Sequence, residues 1–320
     1  MRVLIGPNRM DLDQVVDELA PLYPELEFEC CVNGEDLARA VADAEIYLGW
    51  LRRPEFLAAR SLRWIQSPSS GVDMFLRIPE LREGEVLLTS ARGTHGACLA
   101  ESALAMILAF TRRIKDFIPA QQAHRWTNRE LRPGMVELTG STMGIVGLGA
   151  VGRALARRAA AFDMRILAVD MFPGERPACV ERLEGLDGLA ALLRESDYVV
   201  VTVPLTEQSR GMLGAREIAL LKPSAILVGI SRGGVIDESA LLCALQEGRI
   251  KGAALDVFEC EPLPEDSPLW DVDNLLITPH AAGGTQFEGA TVRQIFAENV
   301  GRFLRGEFPL RNQVDKQRGF

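Results

Sequence analysis

No run of 18 apolar residues occurs anywhere in this 320-residue chain, so no segment is long enough to cross a bilayer as a helix. A secretory leader is missing too. Met1-Arg2-Val3-Leu4-Ile5-Gly6 passes directly into a strand-like segment, without the basic and apolar regions that export requires. A cytoplasmic location is the expectation. The six cysteines (Cys30, Cys31, Cys98, Cys179, Cys243 and Cys260) show no C-x-x-C spacing, which argues against zinc ligation and a disulfide framework. No metal is expected. Histidine is scarce, with only His95, His124 and His280, so imidazole chemistry has few places to reside. Net positive charge is also missing. A formal charge of −9 and a pI near 5.1 disfavour nucleic acid and anionic membranes as partners. An anionic substrate would therefore need a local group of arginines.

What is present is enough apolar material for two cores. Hydrophobic residues make up 48% of the chain, and the length suits two domains. Up to about residue 95, short apolar runs alternate with amphipathic segments. Arg2–Ile5, Glu27–Cys31, Ile46–Trp50, Trp64–Ser67 and Val86–Thr89 read as strands, and Leu12–Leu22, Gly34–Ala42 and Pro54–Ala59 as helices. That alternation implies a parallel sheet covered on both faces. Gly96–Phe117 carries Leu99, Ala103, Leu104, Met106, Ile107, Leu108 and Phe110 around most of its circumference. It reads as one helix buried between domains or subunits. A second alternating series begins at Ser141, with later strands at Tyr198–Val203, Ala225–Ile230, Gly252–Val257 and Leu275–Thr278. Gln286–Leu304 reads as a closing helix that returns to the first domain. No repeat at solenoid spacing is evident.

The most specific pattern is Gly144-Ile145-Val146-Gly147-Leu148-Gly149-Ala150-Val151-Gly152, with Asp170 closing the strand Met164–Val169. Gly147 permits a tight turn, Gly149 lets the backbone approach a pyrophosphate, and Gly152 lets the helix pack on the strand. The amides of Ala150 and Val151 open that helix and offer its positive end to phosphate. Asp170 is placed to accept hydrogen bonds from the ribose hydroxyls. A glycine triplet alone is weak, but the strand before it, the helix after it and the acid about 20 residues on make NAD the expected cofactor.

Three further segments lie at strand ends, where open α/β sheets bind ligands. Arg232 stands in Ile230-Ser231-Arg232-Gly233-Gly234, and its guanidinium suits a bidentate grip on a carboxylate. Asp256, Glu259 and Glu261 follow in Leu255–Pro262, and His280 lies in Thr278-Pro279-His280-Ala281-Ala282-Gly283. An arginine, a carboxylate and a histidine at successive strand ends match what hydride transfer to a 2-oxo acid demands. Spacing does not choose between Glu259 and Glu261 as the histidine's partner. Singly, Arg232 would read as a surface ion-pair residue and His280 as a structural histidine.

These runs resemble the D-isomer-specific 2-hydroxyacid dehydrogenase family. The likeness rests on Ser231–Asp237, Leu255–Glu259, Glu261-Pro262, Thr278-Pro279-His280, Val203-Pro204-Leu205-Thr206, Ser70-Gly71-Val72-Asp73 and Ala100-Glu101, and covers nearly the whole chain. It implies a Rossmann-type doubly wound parallel sheet plus a second, flavodoxin-like α/β domain, with a cleft between them. Residues 1–96 and 286–320 would form the substrate-binding domain and 97–285 the dinucleotide-binding domain. By the resemblance His280 is the acid/base, Glu261 its partner and Arg232 the carboxylate anchor. Ser70 and Gly71 would meet the substrate carboxylate through backbone amides. Val203, Pro204, Asp256 and Gly283 would join the glycine motif around the cofactor, Asp256 on the nicotinamide side. The implied partner is a small anionic 2-oxo or 2-hydroxy acid of the glyoxylate or hydroxypyruvate type, and a homodimer is expected.

One departure is Gly229, where many relatives carry asparagine. Leu51-Arg52-Arg53-Pro54 lies in a loop that varies with substrate; the two arginines read as a solvated helix start. His95 and His124 are expected to have no chemical role, although His95 precedes the helix at Gly96 and could face the cleft. Trp126 and Trp270 read as packing or subunit-contact residues. The alternative from another class is an NAD-sensing corepressor, since one such group resembles the family; the absence of a basic arm weighs against it. Formate dehydrogenases replace the glutamate paired with histidine, and phosphite dehydrogenases place a lysine beside the glycine that Ser70 precedes here, so neither fits.

Overall fold

The computed structural model describes residues 1–319, which divide into two compact units: Met1–His95 with the described residues from Thr285 on, and Gly96–Gly284. In the first unit, β1 (Arg2–Ile5), β2 (Glu27–Cys30), β3 (Ile46–Leu48), β4 (Trp64–Gln66) and β5 (Leu87–Thr89) form one parallel sheet ordered β2-β1-β3-β4-β5. This is the flavodoxin-like order. Successive side chains on a strand point to opposite faces, so apolar residues at every position give two cores. Val3, Ile5, Ile46, Leu48 and Trp64 pack with Val292, Phe296, Val300 and Phe303 of the closing helix Glu288–Leu304. Leu4, Tyr47 and Ile65 face the opposite layer, with Val41, Phe56, Phe75 and Leu81. The edge strand β2 is charged and largely exposed, as an unpaired sheet edge in water should be.

The second unit contains β6 (Thr142–Val146), β7 (Arg165–Val169), β8 (Arg182–Glu184), β9 (Tyr198–Val201), β10 (Ile226–Gly229), β11 (Gly252–Leu255) and β12 (Leu275–Ile277). Their order, β12-β11-β10-β9-β6-β7-β8, is parallel throughout. It reverses direction between β6 and β9, the topological switch point of a doubly wound sheet. Short β8 is an edge strand that periodicity did not reveal.

Gly96–Phe117 is not one helix. Helix Gly96–Thr111 ends, Arg113 takes a left-handed φ of 58°, and a separate helix runs Ile114–Gln122. A left-handed residue redirects the chain and terminates the helical hydrogen-bond pattern, and Arg113 is tied to Asp116 at 2.8 Å. Most of the apolar circumference of Gly96–Thr111 is buried inside its own unit, against helix Ala150–Ala160 and strand β10. The closing helix begins at Glu288, two residues later than its periodicity suggests. Among the described residues no helix is long and apolar enough to cross a membrane.

Candidate active site

The glycine turn sits at the switch point. Gly147 ends β6 with φ of 98°, and a Cβ there would come within 2.7 Å of Val203 Cγ1, on the segment leaving β9. Only glycine meets both demands. At Gly152 a Cβ would lie 2.1 Å from the Gly147 carbonyl oxygen, so helix Ala150–Ala160 can seat on the turn only with hydrogen there. Gly149 differs: a Cβ would meet nothing within 4 Å. The protein's own packing leaves this position open, beside the helix N-terminus formed by Ala150 and Val151. That arrangement fits a pyrophosphate approaching the main chain.

Asp170 closes β7 and is held rigidly. One carboxylate oxygen accepts the Leu148 amide at 2.7 Å and the other the Phe172 amide at 2.9 Å. Each oxygen keeps a lone pair for a further donor. The next residues, Met171, Phe172 and Pro173, bring no cation, and the Arg176 guanidinium is turned onto the carbonyls of Val180 and Glu181. Pro204 follows Val203 and accepts the Ser209 hydroxyl at 2.6 Å, which fixes the segment leaving β9.

Arg232 follows β10, Glu261 follows β11 and His280 follows β12, three neighbouring strands of one sheet. A Cβ at Gly233 would lie 1.9 Å from the Phe258 carbonyl oxygen, so the thin backbone beside Arg232 lets two of these loops approach. Arg232 Nη1 donates to the Ser231 carbonyl at 2.8 Å. His280 Nδ1 lies 2.7 Å from Glu261 Oε2, while Glu261 Oε1 accepts the Phe258 amide at 2.9 Å. Glu259 turns away: its carboxylate and backbone amide face Glu238 at the start of helix Glu238–Gln246. Burial, together with the negative charges of Glu259 and Glu261, pushes the Glu238 carboxyl above the ordinary carboxylate range, although the hydrogen bond from Glu259 opposes this. The pair that forms is thus His280–Glu261, and with Nδ1 occupied, proton exchange falls to Nε2. The His280 side chain is 47% exposed.

The loop carrying His280 is organised from beneath by Asp256. This carboxylate is fully buried. Its Oδ1 accepts from the Thr278 hydroxyl at 2.6 Å and from the amides of Ala281 and Ala282 at 2.8 and 3.1 Å; Oδ2 also receives the Ala282 amide at 3.1 Å. The Asp256 carbonyl accepts the His280 amide at 2.8 Å, with His280 itself at a left-handed φ of 52°. A strained residue beside a fully satisfied buried acid is a loop held in one shape. Gly283 ends it, its carbonyl accepting Cys98 Sγ at 3.2 Å.

Gly229 is buried at the end of β10, and a Cβ would press on Leu255 and Ile236 at 2.9 and 3.0 Å. The space an asparagine would need is filled by these apolar side chains.

In the first unit, Ser70 and Gly71 lie in the loop after β4. The Ser70 hydroxyl reaches the Ala91 carbonyl at 3.0 Å and His95 Nδ1 at 2.8 Å. His95, set aside on sequence grounds, is therefore part of a hydrogen-bonded network; its partners are too distant along the chain for any local pattern to signal them. Arg52 is 79% exposed, and Arg53 forms a forked pair with Glu80. Trp126 is 93% exposed rather than packed. No group of three or more metal-ligating side chains occurs among the described residues.

With this geometry in place, comparison with known proteins identifies the family. Residues 104–282 match the family model described as D-isomer specific 2-hydroxyacid dehydrogenase, NAD binding domain. A D-3-phosphoglycerate dehydrogenase of Methanocaldococcus jannaschii is 32% identical over 312 residues, 96% of this chain and 58% of that protein; the chain thus spans little more than half of that relative. A glyoxylate reductase of Korarchaeum cryptofilum is 38% identical over 259 residues, covering 79% of this chain and 76% of that protein. Among solved structures, a D-isomer specific 2-hydroxyacid dehydrogenase from Xanthobacter autotrophicus Py2, in complex with NADPH and MES, is similar at a TM-score of 0.84 and 31% identity, covering 99% of both chains. The chain belongs to the D-isomer specific 2-hydroxyacid dehydrogenase family and carries that family's NAD-binding domain.

Proposed function

We propose that this protein interconverts a small 2-oxo acid and its D-2-hydroxy acid with NAD(H), on substrates of the glyoxylate or hydroxypyruvate type. The observation that carries this reading is the His280–Glu261 pair at 2.7 Å, one strand from Arg232. When bound, the nicotinamide supplies hydride to the carbonyl carbon in reduction and takes it up in oxidation. His280 Nε2 gives a proton to the carbonyl oxygen in one direction and removes it in the other. Glu261 holds the ring through Nδ1 and so aims Nε2. Arg232 grips the carboxylate and steadies the developing oxyanion, a role in which losing one donor costs about 3–4 kcal/mol. In the first unit, the backbone amides of Ser70 and Gly71 are assigned to binding a substrate carboxylate. NADH absorbance followed with a panel of 2-oxo acids tests this directly, and absence of turnover with every member overturns it.

The cofactor is expected to be NADH in preference to NADPH. Both Asp170 oxygens are fixed in place, and a 2′-phosphate would meet their charge, while the guanidinium of Arg153 is engaged by the Glu175 carbonyl and that of Arg176 by the carbonyls of Val180 and Glu181. Wild-type kcat/KM should be higher with NADH, and Asp170→Ala should narrow the gap mainly by weakening NADH binding. Equal or better kcat/KM with NADPH in the wild type defeats this assignment.

Arg52 and Arg53 are assigned to the solvated surface. Removing both charges should leave unchanged the ratio of KM values for dianionic and monoanionic acids. A selective rise for the dianionic acid would bring them into the substrate site.

A homodimer completes the reading. Leu104, Ala105, Leu108 and Phe162 line an open apolar hollow on the second unit, and Trp126 stands in solvent on that same unit. Apolar surface of this kind favours an isologous contact. Sedimentation at micromolar concentration should give twice the 35.1 kDa chain mass; an active monomer there would refute it.

A further inference from the structure

A hydrogen-bond cluster outside the His280 site surrounds His95. Its Nδ1 lies 2.8 Å from Ser70 Oγ and 2.7 Å from Thr94 Oγ1, and its Nε2 lies 2.9 Å from Glu288 Oε1. Both hydroxyls also reach the Ala91 carbonyl, at 3.0 and 2.9 Å. The His95 side chain is only 12% exposed, so these contacts are shielded from water. All four partners lie within the first unit.

Counting protons shows what the cluster does. With Nε2–H donating to Glu288, Nδ1 is an acceptor and takes one hydroxyl proton, leaving the other for the Ala91 carbonyl. With both ring nitrogens protonated, Nδ1–H donates to a hydroxyl oxygen, and the hydroxyl protons turn to the Ala91 carbonyl, which also accepts the Thr94 amide at 3.2 Å. Either way the Ser70 side chain is held from two directions, by His95 and by the Ala91 carbonyl. The ring cannot turn without breaking its bond to Glu288. Ser70 is thereby fixed by residues that lie on two other segments, the loop after β5 and the first turn of the closing helix.

We propose that His95 and Glu288 are positioning residues for substrate binding: they hold the Ser70–Gly71 loop in the shape that presents its main-chain amides to the substrate carboxylate. This rests on the role given to that loop under the proposed function. Neither residue touches the reacting atoms, so the loss should appear in ground-state and transition-state binding together. Removing such uniform binding raises KM and leaves kcat in place.

The test is steady-state reduction of glyoxylate and of hydroxypyruvate by NADH, with NADH affinity measured by fluorescence and folding by thermal melts. His95→Leu should raise KM for both acids about tenfold or more, equivalent to the loss of one good hydrogen bond. Its kcat should stay within about threefold and its NADH affinity should not change. His95→Asn, which can still meet the hydroxyls from the Nδ1 position, should recover most of the KM. Glu288→Ala should lie between the two, and Glu288→Gln, which keeps an acceptor for Nε2–H, should stay near wild type. Unchanged KM in His95→Leu overturns the proposal, whatever the melting temperature. If that variant does not fold, KM in Glu288→Ala decides: a rise with retained kcat supports the proposal, and wild-type KM overturns it. Equal loss of kcat in all variants also overturns it, since that places His95 in the chemical step. Wild-type protein that turns over no 2-oxo acid is a different failure, that of the proposed function itself.

Discussion

Replacing His280 with alanine should lower turnover in both directions by about 10²–10⁴-fold, the range contributed by a positioned acid or base, while NADH binding stays close to wild type. The two effects separate because the glycine turn and Asp170 that hold the dinucleotide are built on β6 and β7, whereas His280 is carried after β12. Stopped-flow turnover and NADH titration of the variant measure both. The companion experiment is Glu261→Ala, which removes the carboxylate that holds Nδ1 of the ring at 2.7 Å. With the ring free to turn, kcat should fall by about 10²-fold in both directions, and NADH binding should stay close to wild type. A kcat near wild type would remove Glu261 from the positioning of His280 and return Glu259 to consideration, although its carboxylate faces Glu238. A His280→Ala enzyme with near-normal kcat would refute the mechanism outright.

Asp256→Ala should produce the other large effect. The wild-type carboxylate satisfies the Ala281 and Ala282 amides and the Thr278 hydroxyl inside a fully buried site. The hydroxyl can rotate to another acceptor, but the two amides cannot. Leaving two buried donors unpaired costs about 2–6 kcal/mol. The loop that carries His280 then loses its fixed shape, and a displacement of about 1 Å at a reacting group is enough for a 10²-fold loss. The expected result is a lower Tm together with a fall in kcat of about that size. A variant with unchanged Tm but weakened NADH binding would instead place Asp256 chiefly on the nicotinamide. The two roles are distinguishable because only the first predicts destabilisation without cofactor.

The fold was legible where burial is uniform. Apolar strands covered on both faces stand out, and β1, β3, β4 and β7 begin and end within two residues of their sequence-based bounds. Edge strand β8 did not stand out, because Arg182-Leu183-Glu184 carries no apolar run. The break at Arg113 was hidden too: Ile114 and Phe117 continue the helical spacing from Phe110 across Thr111-Arg112-Arg113, and a left-handed arginine has no compositional sign. Residue types at the strand ends named the chemistry, but spacing left Glu259 and Glu261 open. They diverge in three dimensions because the loop that turns Glu261 back onto the Phe258 amide directs Glu259 toward the start of helix Glu238–Gln246. His95 was the residue least accessible to reasoning along the chain. Its partners at 70 and 288 are brought together only when β4, β5 and the closing helix are assembled.

The interrupted first unit imposes an order on how the chain matures as it is made. Everything that the seven-stranded sheet needs lies between Gly96 and Gly284, so that unit is complete in sequence before the ribosome reaches the closing helix. The five-stranded sheet, although synthesised first, must wait. Trp64 stacks on Phe296 and Phe303 at 5.2 and 5.5 Å between ring centroids, and until those rings emerge that face of its sheet is covered only in part, by Leu12, Val15 and Leu19. Nascent chains halted before Glu288 should therefore be sticky through their oldest residues rather than their newest, the kind of exposed apolar surface that attracts chaperones.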